Sequence, residues 1–587
     1  MKSRDIFDGP LDNSASKIKS IKRSALNCFA SSAGRVGVAM LLFAMGSSNG
    51  LVAKEGGSKS NTISSPMKQQ VIDALGGSYR YEQFMTPMRD GVRLATGVFL
   101  PEDYETSGRK HSTILCRSVY GIWSAANFEA RNCAGHELVL VCQDLRGDGD
   151  SEGQGTANLY SFDNEIEDGY DTIEWIIQQP WSNGRVGMTG QSGHGFAAYM
   201  AYLSKHPNLV ACDTNISGGN AHLYWTYHNG VKREMYYGWL SERNVSITLW
   251  PKPGVEPFDR GAYAEKVRFA SADNPTVFVA RTGWYDIFSE SALDYFRQFG
   301  SNGKVFIQID PIGHGTMAGR PFPQRSLPDN WTQPRLPEIL NDSARVKDKR
   351  SCIVYYLMGD ATDRNAPGNC FKITHEWPVK SVATDFFLHA DQSVSTTKPV
   401  TQGGSLSFKY DPRDPVPSAG GDVFVHKGVG PKDQRVLSDR RDILRFSSRV
   451  LETPVVVTGK IKADLFVSTD VDDTTFTAKL IDIYPDGYQA VVRDSIVMGR
   501  FHAGYDRPSR MEKGKVYKLS LDMWSTAYAF NKGHRIGIHL SSSNSPKYEV
   551  HPNVYEPVDS FEESPIANNT IHLSETYPSH LTLPVVD

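Results

Sequence analysis

The sequence is poor in features that mark several common protein classes. Seven cysteines are spread over 587 residues and none stands in a C-x-x-C pair, which argues against a zinc knuckle or a thioredoxin-like redox motif. No long lysine or arginine run occurs and the net charge is only −3, so nothing points to nucleic acid or to an anionic membrane surface. The apolar stretch "VGVAMLLFAM" (36–45) is too short to cross a bilayer as a helix, a task that takes roughly 20 residues. No integral membrane span is therefore expected in the mature chain. There is no internal repeat, and a strict G-x-S-x-G is also missing.

What is present begins with an N-terminus unlike the rest. Lys17, Lys19, Lys22, Arg23 and Arg35 precede the apolar stretch, and small or polar residues lead from it to Ala53. Basic region, short apolar core and small-residue exit describe a secretory signal peptide over 1–53, so an exported protein is expected, periplasmic or secreted. The basic region is longer than usual, which leaves a mitochondrial-type leader or a mis-started N-terminus as the alternatives. Residues 54–74 read as a linker. Beyond the leader, Cys116, Cys133, Cys142, Cys212, Cys352 and Cys370 remain, and Cys352 with Cys370 is a plausible disulfide pair in an oxidising compartment.

From 75 to 218 short apolar strands alternate with helical stretches. "STILCRSVYG" (112–121), "ELVLVCQDLRG" (137–147) and "RVGMTG" (185–190) read as strands, while "EIEDGYDTIEWIIQQP" (165–180) and "FAAYMAYLSKHP" (196–207) read as helices. The rhythm resumes over 273–349 with "PTVFVARTG", "SESALDYFRQF" and "KVFIQIDPIGHG". Such alternation predicts a parallel sheet covered on both faces. The aromatic-rich insert 219–272 sits where a helical lid over the carboxyl edge of the sheet belongs. From 350 to 587 the pattern turns to long strands separated by Gly, Pro and Asp turns, which predicts an all-β sandwich.

Folds of this kind place chemistry outside the carboxyl ends of the parallel strands. Ser192, Asp286 and His314 all fall at such ends, in the chain order of an α/β-hydrolase triad. A serine hydroxyl is a weak nucleophile until an imidazole takes its proton, and the imidazole needs a carboxylate to fix its tautomer. Each residue alone has a plainer reading: a packing turn at Ser192, a helix cap at Asp286, a loop residue at His314. Three coincidences at three strand ends favour the triad. His194, two residues beyond the serine, should point away from its side chain and reads as structural.

These residues also resemble a known family. "EWIIQQPWSNGRVGMTGQSGHG", "GWYD", "GHG" and "CQDLRGDGDSEG", with "DPRDPVPSAGG", "DDTTFTAKLIDIYPDG" and "KGHRIGIHLSSSNSPKY" further on, are similar to the cocaine esterase and Xaa-Pro dipeptidyl-peptidase family, from about residue 80 to the end. The resemblance implies an α/β-hydrolase domain with a helical lid and a C-terminal jelly-roll β-sandwich. It implies an oxyanion hole made by the Tyr120 hydroxyl, in "RSVYG", and the Gly193 backbone amide. Two departures stand out. Val119 occupies the family's usual proline, and Gly193 replaces the tyrosine that usually follows the nucleophile, which removes a pocket wall.

The expected activity is hydrolysis of a carboxylic ester or amide, in a small molecule or short peptide, through an acyl-serine that needs no metal or organic cofactor. Tyr224, Trp225, Tyr227 and Trp284 are candidates to line an aromatic-accepting pocket. The lid acids Glu234 and Glu242 are flanked by Lys232, Arg233 and Arg243 and read as solvated ion pairs, which counts against a receptor for a free amino terminus. The alternatives are an Xaa-Pro dipeptidyl-peptidase and, from another class, a non-catalytic exported binding protein.

Overall fold

Residues 65–74, expected as the end of a linker, belong to a helix, α1 (Ser65–Leu75), in the computed structural model. The structure describes residues 65–76, 79–153, 162–219, 225–241, 274–301, 304–329, 331–424, 428–505 and 507–586. The signal peptide and cleavage site expected before Ala53 lie outside that set. Met67, Val71 and Leu75 recur at helical spacing, and the stripe they make with Ala74 packs on Ala126 and Ala130 of helix α3 (Ile122–Cys133). A segment with its own apolar stripe is not a loose tether.

The strands β1 (Tyr79–Pro87), β2 (Arg93–Pro101), β3 (His111–Ser118), β4 (Val139–Asp144), β5 (Ser182–Gln191) and β6 (Leu209–Asn215) open the first sheet. A separate two-stranded hairpin follows, β7 (Tyr227–His228) and β8 (Val231–Lys232). The sheet resumes with β9 (Val277–Tyr285), β10 (Lys304–Gly313), β11 (Cys352–Leu357) and β12 (Cys370–Thr374). Its order is β1-β2-β4-β3-β5-β6-β9-β10-β11-β12. The run from β4 to β11 is parallel, and β1, β2 and β12 pair antiparallel at the edges. The sheet therefore continues past residue 349 to Thr374.

Helices cover both faces, as strands apolar on both sides require. On one face Ala126 and Ala130 of α3 pack with Leu336 and Leu340 over Ile114, Leu140 and Val279. On the other, α4 (Phe162–Ile177) and α5 (Gly193–Leu203) bury Ile173, Ile176, Phe196 and Met200 against Leu115, Val141 and Met188. The connections also carry the short α2 (Tyr104–Ser107) and, in the insert, α6 (Glu234–Ser241). The insert's described part is thus a hairpin plus one helix, and positions 220–224 and 242–272 lie outside the described residues.

The C-terminal region is all β. Eleven strands between Val382 and Val586 form one hydrogen-bonded sheet that curls over its own core, so that Arg493 on the strand Gln489–Met498 donates to the Ser525 carbonyl on Tyr517–Phe530. All six cysteines in the described residues are free. The expected Cys352–Cys370 pair is not made: β11 and β12 run antiparallel with Leu357 opposite Cys370, which leaves the two cysteines at opposite ends of the ladder. No described helix is long and apolar enough to cross a membrane.

Candidate active site

β5 ends at Gln191 and α5 begins at Gly193, leaving Ser192 alone at the bend with φ 55° and ψ −124°. A non-glycine residue held at positive φ costs about 1–3 kcal/mol and needs surroundings that enforce it. Here the Ser192 amide donates to the Asn215 carbonyl at 3.0 Å. Its carbonyl accepts from the Gly195 amide at 3.0 Å and from the Ser217 hydroxyl at 2.6 Å. The flanking glycines make the turn this tight. A Cβ on Gly190 would stand 2.4 Å from the His194 carbonyl oxygen, and one on Gly195 would stand 2.5 Å from the Ser217 Cβ.

Two more strand ends meet this serine. His314 follows β10, and its Nε2 lies 2.9 Å from Ser192 Oγ. Asp286 follows β9, is fully buried, and places Oδ2 3.2 Å from His314 Nδ1. Its Oδ1 accepts the Phe288 amide at 2.9 Å, where the helix Ser289–Phe299 begins. One carboxylate therefore holds both the imidazole and the turn that leads into the helix, through its two oxygens. The imidazole is enclosed on two sides. Phe288 meets it edge-on with centroids 5.2 Å apart, and Phe424 stacks on it at 5.0 Å with 19° between planes. Excluding water there strengthens each polar contact of the ring.

Tyr120 closes the site from the end of β3. It is 37% exposed, and its hydroxyl stands over the first turn of α5: a Cβ on Gly193 would lie 2.5 Å from Tyr120 Oη. The Gly193 amide heads α5, where unpaired backbone N–H groups and the helix dipole favour negative charge. His194 turns inward instead. It is buried beneath Tyr120 with ring centroids 4.8 Å apart, and burial lowers its pKa to about 4, so it is neutral.

The four pocket candidates fare differently. Tyr224 lies outside the described residues. Trp225 is buried one layer back, edge-on to Phe288 at 4.8 Å and to Phe196 at 5.4 Å. Tyr227 is buried in the hairpin, where its oxygen accepts from the Tyr237 hydroxyl at 2.9 Å. Trp284 is a core residue and lines no pocket: it is fully buried, donates from Nε1 to the Tyr356 carbonyl at 2.7 Å, and packs against Tyr355 and Trp377. A residue inside a strand of a sheet covered on both faces has nowhere else to go.

The aromatic wall beside the imidazole comes from residues the sequence did not single out. Phe424 is met edge-on by Tyr236 at 5.1 Å and by Trp239 at 5.5 Å, and Trp239 also stands edge-on to Tyr120 at 6.2 Å. Trp239 belongs to an insert already suspected as a lid. Phe424 sits in a glycine-rich turn of the all-β region, where no pattern marks it. Glu234, as expected for a solvated pair, faces Lys232 at 2.7 Å, while Glu242 and Arg243 lie outside the described residues. Among the described residues no group of three or more His, Cys, Asp or Glu side chains converges to hold a metal ion.

Comparison with known proteins adds to this geometry. The family model for X-Pro dipeptidyl-peptidase (S15 family) matches residues 90–255, and that for the X-Pro dipeptidyl-peptidase C-terminal non-catalytic domain matches residues 345–582. The cocaine esterase of Rhodococcus sp. (strain MB1 Bresler) is 29% identical over 581 residues, spanning 86% of this chain and 98% of that protein. Two solved structures share the fold. An α-amino acid ester hydrolase superposes with a TM-score of 0.67 at 20% identity, over 87% of this chain and 97% of its own. An aminopeptidase from a marine sediment Thaumarchaeota archaeon gives 0.66 at 21% identity, over the same 87% and 97%.

Proposed function

The chain belongs to the cocaine esterase and X-Pro dipeptidyl-peptidase family of serine hydrolases, and from that premise we propose that it cleaves an ester or amide through an acyl-serine; from its N-terminal sequence we propose that it is exported. Ser192 attacks the carbonyl carbon while His314 takes the hydroxyl proton through Nε2. Asp286, bonded to Nδ1, fixes the tautomer and stabilises the imidazolium. The Tyr120 hydroxyl and the Gly193 amide receive the negative charge that develops on the carbonyl oxygen, where loss of one donor typically costs about 3 kcal/mol. His314 then protonates the leaving alcohol or amine and activates a water that releases the acid.

The observation that carries this reading is the 2.9 Å contact between Ser192 Oγ and His314 Nε2 at a strained elbow. The aromatic wall of Tyr236, Trp239 and Phe424 supports an apolar acyl group. Of the two lid acids the sequence singles out, the described one, Glu234, is paired with Lys232 at 2.7 Å, which disfavours it as a receptor for a substrate ammonium group. An ester or amide with an uncharged acyl group is therefore preferred over the amino terminus of a peptide.

A fluorophosphonate probe tests the nucleophile: the wild type is labelled, Ser192→Ala is not, and labelling of the alanine variant sinks the assignment. Turnover of a p-nitrophenyl ester is expected to exceed that of an Ala-Pro anilide. The reverse order would make the protein an Xaa-Pro dipeptidyl-peptidase. Export rests on the N-terminal sequence alone and is tested by the mass of the mature chain recovered outside the cytoplasm, expected to begin near residue 54.

A further inference from the structure

Tyr120 has to present its hydroxyl at a fixed point while more than a third of its surface is open. An exposed phenol turns about two side-chain bonds, and a donor misplaced by an ångström loses most of its effect on a developing oxyanion. Part of its orientation comes from what it rests on. Two consecutive residues of the elbow, neither used by the proton relay, lie against it.

Gly193 supplies space. The Cβ of any other residue would stand 2.5 Å from Tyr120 Oη and 3.0 Å from its Cζ, so the phenol occupies the volume a side chain would need. Backbone freedom does not explain this glycine, because its φ is not among the positive ones and it opens a helix where alanine is the better former. His194 supplies a surface. Its ring lies 4.8 Å from the Tyr120 ring at 51°. It is itself immobilised, with Phe128 edge-on at 5.5 Å and the Cys116 sulfur 3.8 Å from Nδ1. Burial keeps the imidazole uncharged, so no ionic hydration pulls it from beneath the phenol.

We propose that His194 is a positioning residue of the oxyanion hole: its buried ring seats Tyr120 so that the hydroxyl stands over Gly193. The proposal rests on the serine-hydrolase reading above. It assigns His194 no proton transfer, since the Ser192 hydroxyl is already bonded to His314.

The test is a double-mutant cycle on p-nitrophenyl acetate, with kcat normalised to fluorophosphonate-labelled sites so that only folded enzyme is counted. Tyr120→Phe is expected to lower kcat about 100-fold. His194→Ala is expected to lower it about tenfold with KM within twofold, and His194→Phe, which restores a ring face, to recover most of the loss. In the Tyr120→Phe background, His194→Ala is expected to change kcat by less than twofold. Equal losses in the two backgrounds, or no loss from His194→Ala alone, overturn the proposal. Should His194→Ala fail to fold, Gly193→Ala displaces the phenol from its other side and must show the same dependence on Tyr120. Absence of labelling in the wild type would instead mark failure of the serine-hydrolase reading, whatever the cycle shows.

Discussion

Asp286→Asn separates two contacts that one carboxylate makes. The amide oxygen can still accept the Phe288 N–H, so the start of the following helix is preserved. The amide N–H, however, would donate to His314 Nδ1 and force the proton onto Nε2, the atom that must accept from Ser192. Thermal stability is expected to change little while kcat falls by about 10⁴, which melting curves and ester kinetics on one sample will check. Trp284→Ala should do the opposite. Loss of its packing against Tyr355 and Trp377 is expected to cost about 3–5 kcal/mol in denaturant titration, with KM unchanged in what remains folded. The sequence allowed either residue to belong to the site. Asp286 bonds to His314 and Trp284 packs in the core, because residue type shows what a side chain is able to do and its neighbours decide what it touches.

The elbow is the element on which the site depends. Its apolar run, bend and helix are legible because each is a local pattern, and Gly190 and Gly195 flag a close approach without saying to what. Gly190 approaches the His194 carbonyl within the elbow itself, whereas Gly195 approaches Ser217, a contact that exists only once β6 pairs with β5. Gly195→Ala is expected to force α5 away from the Ser217 turn at a cost of about 1–3 kcal/mol and to slow probe labelling as Ser192 shifts from His314. Unchanged stability together with unchanged labelling would show that the elbow is slacker than its contacts imply. At the same scale, α1 escaped a reading based on composition because its flanking glycines and serines outweigh four apolar residues at helical spacing. The hairpin β7–β8 escaped because its docking partner lies almost 300 residues away: His228 stacks on Trp524 at 4.5 Å, and the Asn229 side chain donates to the Asp522 carbonyl at 3.0 Å.

Across the whole molecule the β region completes the site and is locked in place by buried charge. Asp422, two residues before Phe424, pairs with Lys547 and with Arg233 of the insert at 3.3 Å, and Lys547 also pairs with Asp494. Although burial works against ionisation, Lys547 and Arg233 hold Asp422 well below the usual carboxylate range. Lys547→Met would leave Asp422 and Asp494 short of a cation, and a loss of about 3–5 kcal/mol is expected by denaturant unfolding. A second clamp responds to pH. His534 places Nε2 3.1 Å from Asp360, which follows β11, and Nδ1 2.9 Å from Asp482 in the β region. Burial alone would lower its pKa, but the bond to Asp482 and the two carboxylate charges raise it above the ordinary value. Because the folded pKa exceeds the unfolded one of about 6.5, its stabilisation is fully present below that pH and disappears as pH rises through the folded value. Melting temperatures of the wild type and His534→Gln are therefore expected to differ most near pH 5–6 and to converge at alkaline pH. A difference that widens with pH would mean that the imidazolium is not the stabilising form.

By itself the sequence determined the alternation of strand and helix, the change to all-β pattern and the chain order of serine, carboxylate and imidazole. Each of these is written in spacing within a few turns of chain, where periodicity and glycine placement act directly on the backbone. Tertiary structure decided that β4 precedes β3 in the sheet, that Trp284 is core, that Cys352 and Cys370 stay apart, and that Phe424 covers the His314 imidazole. Periodicity states that a face is apolar and leaves open which face it meets. That partner is chosen only when distant segments compete to exclude the same water.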